Sequence, residues 1–164
     1  MAILTTDIVY RLSGGAANAV PAASLGDAKS STVMGTDLLD GVSSAEALAG
    51  DTEYRCFYIH NAHATLTMES AVAWIQANTP SGDTTLEIGL GTSAVNATEQ
   101  TVADEQTAPS GVTFSAAGTE GAAIALGNIP PSQHRAVWVK RIVNAAAAAS
   151  NDTANLRVKC DTQA

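Results

Sequence analysis

The sequence predicts an all-β fold, an antiparallel β-sandwich or jelly-roll-like barrel of about eight strands. Short runs of β-branched, aromatic and alternating apolar residues recur along the chain, and turn signals such as Pro80-Ser81-Gly82-Asp83 and Pro130-Pro131 separate them. Helix content should therefore be small. With 164 residues, the chain fits one domain, and we assign residues 1–164 to a single sandwich.

The first third combines one strand, at residues 3–11, with a long stretch of small residues. Residues 12–36 are rich in Ser, Gly and Ala and carry too few large apolar side chains for a core element, so we expect an extended arm or loop. Three of its side chains are candidates to anchor it on another surface: Leu25, Val33 and Met34. Ser43 or Ser44 should then cap one turn of helix that ends near Ala49.

The middle of the chain carries the clearest strand signal. Residues 53–60 place aromatic and aliphatic side chains on both faces of a strand. Four further strands are expected, at 70–77, 84–91, 112–116 and 121–127. The polar, acidic stretch from 93 to 111 is expected to be a long loop.

The last third holds a second strand, at 135–143, with apolar side chains on both faces. Valines lie on one face and Trp138 on the other. A strand in a lone sandwich needs only one apolar face, so segment 12–36, a loop or another subunit should cover the second. The candidate interface residues on this strand are Trp138, Lys140 and Arg141. An alanine run at 145–149 leads to a half-buried strand at 155–160.

Charged residues are few and unevenly distributed. They make up 15% of the chain, and the formal net charge of −8 disfavours nucleic acid as a partner. No Lys or Arg occurs between Arg55 and Arg135, whereas seven acidic residues do. Copies of the chain would meet through oppositely charged surfaces, or the charges mix in three dimensions. No apolar run is long enough to span a bilayer and no signal peptide is evident, so we expect no membrane partner.

No arrangement of residues indicates catalysis or a metal site. His60 and His63 have ligand-like spacing, but zinc needs three or four ligands and His134 is distant in sequence, so we interpret the pair as a strand end and a turn. The acidic residues between 37 and 51 lack the calcium-loop pattern. Neither Gly-x-Ser-x-Gly nor a phosphate loop occurs. We therefore expect no enzymatic activity, no cofactor and no metal.

The two cysteines, Cys56 and Cys160, both lie in predicted strands. In a reducing compartment we interpret them as small buried hydrophobic side chains. A disulfide between neighbouring strands is the alternative that the sequence leaves open.

Several stretches of sequence carry a resemblance to a known class of proteins. They are Arg11-Leu12-Ser13-Gly14-Gly15-Ala16-Ala17-Asn18 with Ser24-Leu25-Gly26, then Gly50-Asp51-Thr52-Glu53-Tyr54-Arg55-Cys56, and Ala136-Val137-Trp138-Val139-Lys140-Arg141. Over nearly its full length, the chain resembles small virion structural proteins of tailed bacteriophages. These stretches are patterns of a fold type and contain no active-site signature.

The resemblance implies a non-enzymatic component of the phage particle. A capsid decoration (cement) protein fits best, one that binds the major capsid protein and copies of itself, for example as a trimer, and stabilises the head. The chain would then lie on the capsid surface of a virion assembled in the host bacterial cytoplasm. The alternative is a tail, neck or head-fibre component that acts as a receptor- or carbohydrate-binding β-sandwich.

Overall fold

Two antiparallel β-sheets form the protein in a computed structural model that describes residues 2–148 and 152–162. The strands are β1 (Ile8–Leu12), β2 (Asp51–Asn61), β3 (Met68–Ala77), β4 (Thr84–Leu90), β5 (Phe114–Ser115), β6 (Ile124–Ile129), β7 (His134–Val143) and β8 (Asn155–Thr162). The large sheet has the order β1-β2-β7-β4-β5, and the small sheet has the order β6-β3-β8. The predicted all-β sandwich of about eight strands is confirmed.

The helical content is small, as predicted. The helix α1 (Ser44–Ala49) begins at a capping box in which the Glu46 amide donates to Ser43 Oγ at 3.3 Å and the Ser43 amide donates to the Glu46 carboxylate at 2.6 Å. Short 3-10 turns occupy Thr5–Asp7, Pro21–Ala23 and Glu120–Ala122. No helix in the described ranges is long and apolar enough to cross a bilayer.

The first strand is shorter than the prediction of 3–11. The Asp7 carboxylate accepts a hydrogen bond from the Leu4 amide at 2.8 Å, and the Asp7 amide donates to the Leu4 carbonyl at 2.9 Å. An Asp side chain that bonds to nearby backbone groups favours a turn over a strand. The chain therefore enters β1 only at Ile8.

The main hydrophobic core lies between the two sheets. Phe57 and Ile59 of β2 and Val137 of β7 face Ile75 of β3, and all four side chains are at most 1% exposed. Burying side chains of this size contributes about 1.5–3 kcal/mol each. The alternation in β2 and β7 thus places one apolar face in this core and turns the other face outward.

Charges of opposite sign mix within the fold. One basic residue from each of β2, β7 and β8 forms an ion pair with an acidic residue of the interval that lacks Lys and Arg. The pairs are Arg55 with Glu105, Lys140 with Glu87 at 3.0 Å, and Lys159 with Glu120 at 2.6 Å. Of the two arrangements that the sequence left open, the structure shows mixing rather than two opposed charged surfaces.

Candidate interaction surface

Two segments of the chain lie over the outer face of the large sheet, which is the face turned away from the small sheet. Residues 24–28 and 98–103, here called the lid, come together in an antiparallel bridge between Asp27 and Glu99. The Asp27 amide donates to the Glu99 carbonyl at 3.2 Å. The lid is therefore a short ribbon laid across β2 and β7.

Two hydroxyl groups fasten the lid to the sheet. The Tyr58 hydroxyl donates to the Asp27 carbonyl at 2.6 Å and accepts from the Glu99 amide at 3.0 Å. Ser13 Oγ accepts from the Gly26 amide at 3.3 Å and donates to a carbonyl of β2 at 2.9 Å. Because burial raises the pKa of Tyr58, its hydroxyl keeps the proton that it donates.

A second hydrophobic core fills the space between the lid and the large sheet. Its buried members are Cys56, Tyr58, Val102, Ala136 and Trp138. Leu25 packs against them from the lid, and its carbonyl accepts from the Val102 amide at 2.9 Å. The outer face is therefore covered by the chain itself, through parts of segment 12–36 and of the 93–111 loop.

The six candidate interface residues separate into buried and exposed members. Leu25 and Trp138 belong to the second core, and Met34 packs on the main core. Lys140 forms an ion pair with Glu87, and Arg141 forms one with Glu53. Trp138 is 0% exposed and Arg141 is 5% exposed, so these two residues serve the interior of the chain. Val33 is 57% exposed, which leaves the surface around it as the candidate.

Segment 12–36 is a loop folded onto its own sheet. Its residues 30–34 run beside β1, where the Met34 amide donates to the Tyr10 carbonyl at 2.9 Å and the Ser30 amide donates to the Leu12 carbonyl at 2.8 Å. These bonds extend the large sheet past β1. Between an arm and a loop, the structure therefore shows a loop.

The outward side of this loop is an apolar platform, defined as residues 15–23 together with Val33, which lies opposite Arg11 of β1. No charged residue occurs from 12 to 26. The exposed residues of the platform between 15 and 23 are Ala16, Ala17, Ala19, Val20, Ala22 and Ala23. Val20 is 58% exposed. The Asn18 amide side chain donates to the carbonyls of Ser13 and Val20, at 2.6 and 3.0 Å. The platform therefore presents apolar groups from a backbone that is held in place.

A substitution at Gly26, in the lid, tests whether the lid keeps segment 12–36 folded against the sheet. The φ of Gly26 is +100°, and a Cβ there would lie 1.8 Å from the main-chain oxygen of Gln100. We expect Gly26→Ala to lower the free energy of unfolding by about 1–3 kcal/mol, the usual range for backbone strain of this kind, and to speed proteolysis within 12–36. Gly41→Ala is the control, since a Cβ at Gly41 has no atom within 4 Å. Equal protease resistance of both variants would contradict the assignment.

An ion-pair cluster that is buried at Glu53 and exposed at Asp40 lies at one end of the inner face of the large sheet. The carboxylates of Asp40, Glu53 and Glu105 come within 4.8 Å of one another, a spacing at which three acids can hold a cation. Arg55 and Arg141 already lie among them, with Arg55 paired to Glu105 and Arg141 paired to Glu53 and, at 3.2 Å, to Asp40. Each of the three acids lies within ion-pair distance of at least one of the two arginines, so the cluster is a structural ion-pair network.

The histidines are distributed as the sequence indicated, with one addition. His60 is the penultimate residue of β2, and His63 lies in the turn that follows, where its Nδ1 accepts from the amides of Thr65 and Leu66 at 3.1 and 2.9 Å. His60 also lies opposite His134 in the β2–β7 pairing, a proximity without a signal in the sequence. Burial, the nearby Lys29 and His60 lower the pKa of His134 to about 4, so its ring is neutral at pH 7.

Both cysteines are free thiols. Cys56 is fully buried in the second core, and Cys160 is half-buried on β8 of the small sheet. Since the two residues belong to different sheets, the disulfide left open by the sequence does not form. Burial raises the pKa of both thiols.

A cleft of about 1000 Å³ opens between the two sheets at the end that holds the ion-pair cluster. Tyr10, Leu86 and Val139 of the large sheet and Leu156 of the small sheet line it, together with residues 34–42. Arg141, the cation of this lining, is already paired. The cleft thus exposes part of the main core without a free positive charge to orient a ligand.

Protein families, curated proteins and solved structures were all compared with the chain, and none of them matches it.

Proposed function

We propose that this chain is a non-enzymatic structural protein of a bacteriophage virion, and specifically a capsid decoration protein that binds the major capsid protein. The observation that supports the proposal is the exposed apolar platform of residues 15–23 and Val33. Residues 15–18 of the platform also lie within the stretch 11–18 that carries the resemblance to small virion proteins. An exposed apolar surface whose backbone is held by the Asn18 side chain is suited to packing against another protein.

The platform suits repeated binding to a lattice of subunits. Its loop is ordered before contact, so little conformational entropy is lost on binding. Small apolar groups without charge can approach a partner closely with a small desolvation penalty. Many copies across the joints between capsid subunits would multiply a modest affinity and resist the opening of those joints.

The direct test is co-sedimentation of the purified protein with undecorated capsids. We expect saturable binding at a fixed ratio to the major capsid protein. Val20→Glu should raise the dissociation constant at least tenfold, because a loss of about 1.4 kcal/mol already changes an equilibrium constant tenfold and a buried unpaired carboxylate loses more.

Leu48→Glu is the matched control. Leu48 lies in α1 and is 74% exposed, so this substitution adds the same charge outside the platform and should leave binding unchanged. Equal binding of both variants would show that the platform is not the surface that contacts the capsid. Binding to host cells or glycans, with none to capsids, would support the alternative role on a tail, neck or head fibre.

A further inference from the structure

The edges of the large sheet are closed by other parts of the chain. Residues 30–34 cover the free side of β1. On the other side of the sheet, β5 pairs only with Ile88 and Gly89 of β4. At Leu86 of β4, the Asn78 side chain donates to the Leu86 carbonyl at 2.9 Å and accepts from the Leu86 amide at 2.9 Å. An amide side chain thus replaces a neighbouring strand, which protects an edge from pairing with another protein.

Over residues 155–161, and among the described parts of the chain, the outer edge of β8 has no such cover. At the end of the strand the Ile3 amide donates to Thr162 Oγ1 at 3.1 Å. In the β3–β8 pairing Ile75 lies opposite Leu156, and the Ile75 amide donates away from β8, to the Ala117 carbonyl at 2.9 Å. This position is therefore a non-hydrogen-bonded pair, and by alternation the amides and carbonyls of Leu156 and Val158 point to the open side. Opposite Cys160 the register shifts by one extra residue on β3, between Glu69 and Val72, while β8 advances regularly from Lys159 to Asp161, so the alternation along β8 also turns the backbone of Cys160 to the open side. Within the described residues, the backbone of 155–161 bonds to β3 alone.

A pair of acids without an ion pair lies next to this edge. Asp161 of β8 is opposite Glu69 of β3, and like charges in opposed positions are destabilising. Neither carboxylate has an ion pair or hydrogen bond within the described ranges. Lys159, the nearest cation on the same face, forms its ion pair with Glu120 and is only within longer-range attraction of Asp161. A second positive charge beside Asp161 would relieve this repulsion.

We propose that two copies of the chain associate through β8, antiparallel about a twofold axis at Cys160. In this register Lys159 of each copy lies opposite Asp161 of the other, and about six backbone hydrogen bonds join the open edges. A register shifted to place the axis at Lys159 would oppose the two lysines. The two small sheets become one continuous sheet. The inference does not depend on the proposed function, since purified protein tests it without capsids.

Charge exchange provides the test of this register. The mass of the wild-type protein, measured by sedimentation velocity over a concentration series, should rise twofold from monomer to dimer. Lys159→Asp and Asp161→Lys each oppose like charges and should shift the midpoint of dimerisation to at least tenfold higher concentration. The double variant K159D/D161K opposes unlike charges again and should restore the wild-type midpoint. Circular dichroism confirms that each variant is folded.

Cys160 gives an independent readout of the same geometry. On the twofold axis the two Cys160 Cα atoms would be about 5.5 Å apart, within the range of a disulfide. With copper-phenanthroline and dioxygen as electron acceptor, the two thiols lose two protons and two electrons and form one S–S bond. We expect a reducible covalent dimer that Cys160→Ser abolishes.

Three results would overturn the proposal. One is a wild-type protein that stays monomeric at every concentration measured. The second is a dimer that the single charge variants leave intact or that the double variant fails to restore. The third is a dimer whose cross-link persists in Cys160→Ser. A dimer through another surface, or a strand of a different protein on β8, would give one of these results.

Discussion

Trp138→Ala should lower the free energy of unfolding by about 3–5 kcal/mol, the usual loss for a fully buried large aromatic residue. Trp138 is 0% exposed and lies between the large sheet and the lid. Removing its ring leaves a cavity bordered by Tyr58 on the sheet and Val102 on the lid, and backbone hydrogen bonds of the lid resist its collapse into that space. Urea unfolding followed by far-ultraviolet circular dichroism measures the loss.

Trp138→Phe is the matched control for this prediction. Trp138 Nε1 is buried and has no hydrogen-bond partner among the described residues, so phenylalanine removes an unsatisfied donor while it keeps most of the apolar volume. Its loss should be well below that of Trp138→Ala. If Trp138→Ala changes the free energy of unfolding by less than about 0.5 kcal/mol, the size of an ordinary surface effect, the second core is not a stabilising element of the monomer.

Arg141→Met should destabilise the protein by a similar amount, about 3–5 kcal/mol, because it leaves a buried carboxylate without its counter-charge. Glu53 is 1% exposed and lies opposite Arg141 in the β2–β7 pairing. Burial is the largest influence on Glu53 and raises its pKa to about 7, although Arg141 acts in the opposite direction. Chemical denaturation of the variant at several pH values measures the effect.

The pH dependence of this effect has a definite sign. An unfolded glutamate has a pKa of about 4.5 and folded Glu53 has one of about 7, so the folded state binds more protons between these values. The stability contributed by this group therefore falls as pH rises from 4.5 to 7. Without Arg141 the folded pKa rises further, and the fall should continue to higher pH in the variant than in the wild type.

The double variant Glu53→Met with Arg141→Met separates the two contributions. It removes both charges and fills the space with apolar atoms, a replacement that is often neutral or stabilising at buried ion pairs. We expect it to recover most of the stability lost in Arg141→Met and to abolish the additional fall at high pH. A double variant as unstable as the single one would show that Arg141 acts mainly through Asp40.

Most strands could be placed from local pattern. The strand predicted at 135–143 is β7 at His134–Val143, and the one predicted at 53–60 is β2 at Asp51–Asn61. Alternation and β-branched side chains act between near neighbours, so a short window contains the information. The helix cap at Ser43 is equally local, since its partner is three residues away. The entry to β1 was missed because the Asp7 side chain competes for the backbone.

The candidate surface was only partly accessible to this reasoning. The pattern showed that the outer face of β2 and β7 needs a cover, and that segment 12–36 lacks a core of its own. It did not show that the cover belongs to the same chain. The Tyr58 hydroxyl joins backbone groups 31 and 41 positions away, and no periodicity encodes contacts at that distance.

Strand positions, the two-sided character of β2 and β7, and the absence of charge from 12 to 26 all follow from the order of amino acids. That Trp138 is buried while Val33 is exposed follows from packing in three dimensions. The physical reason is that a side chain's neighbours within a strand are set by covalent spacing, whereas the burial of its outer face depends on which distant loop fits over it. Hydrogen bonds such as those of Ser13 and Tyr58 select that loop.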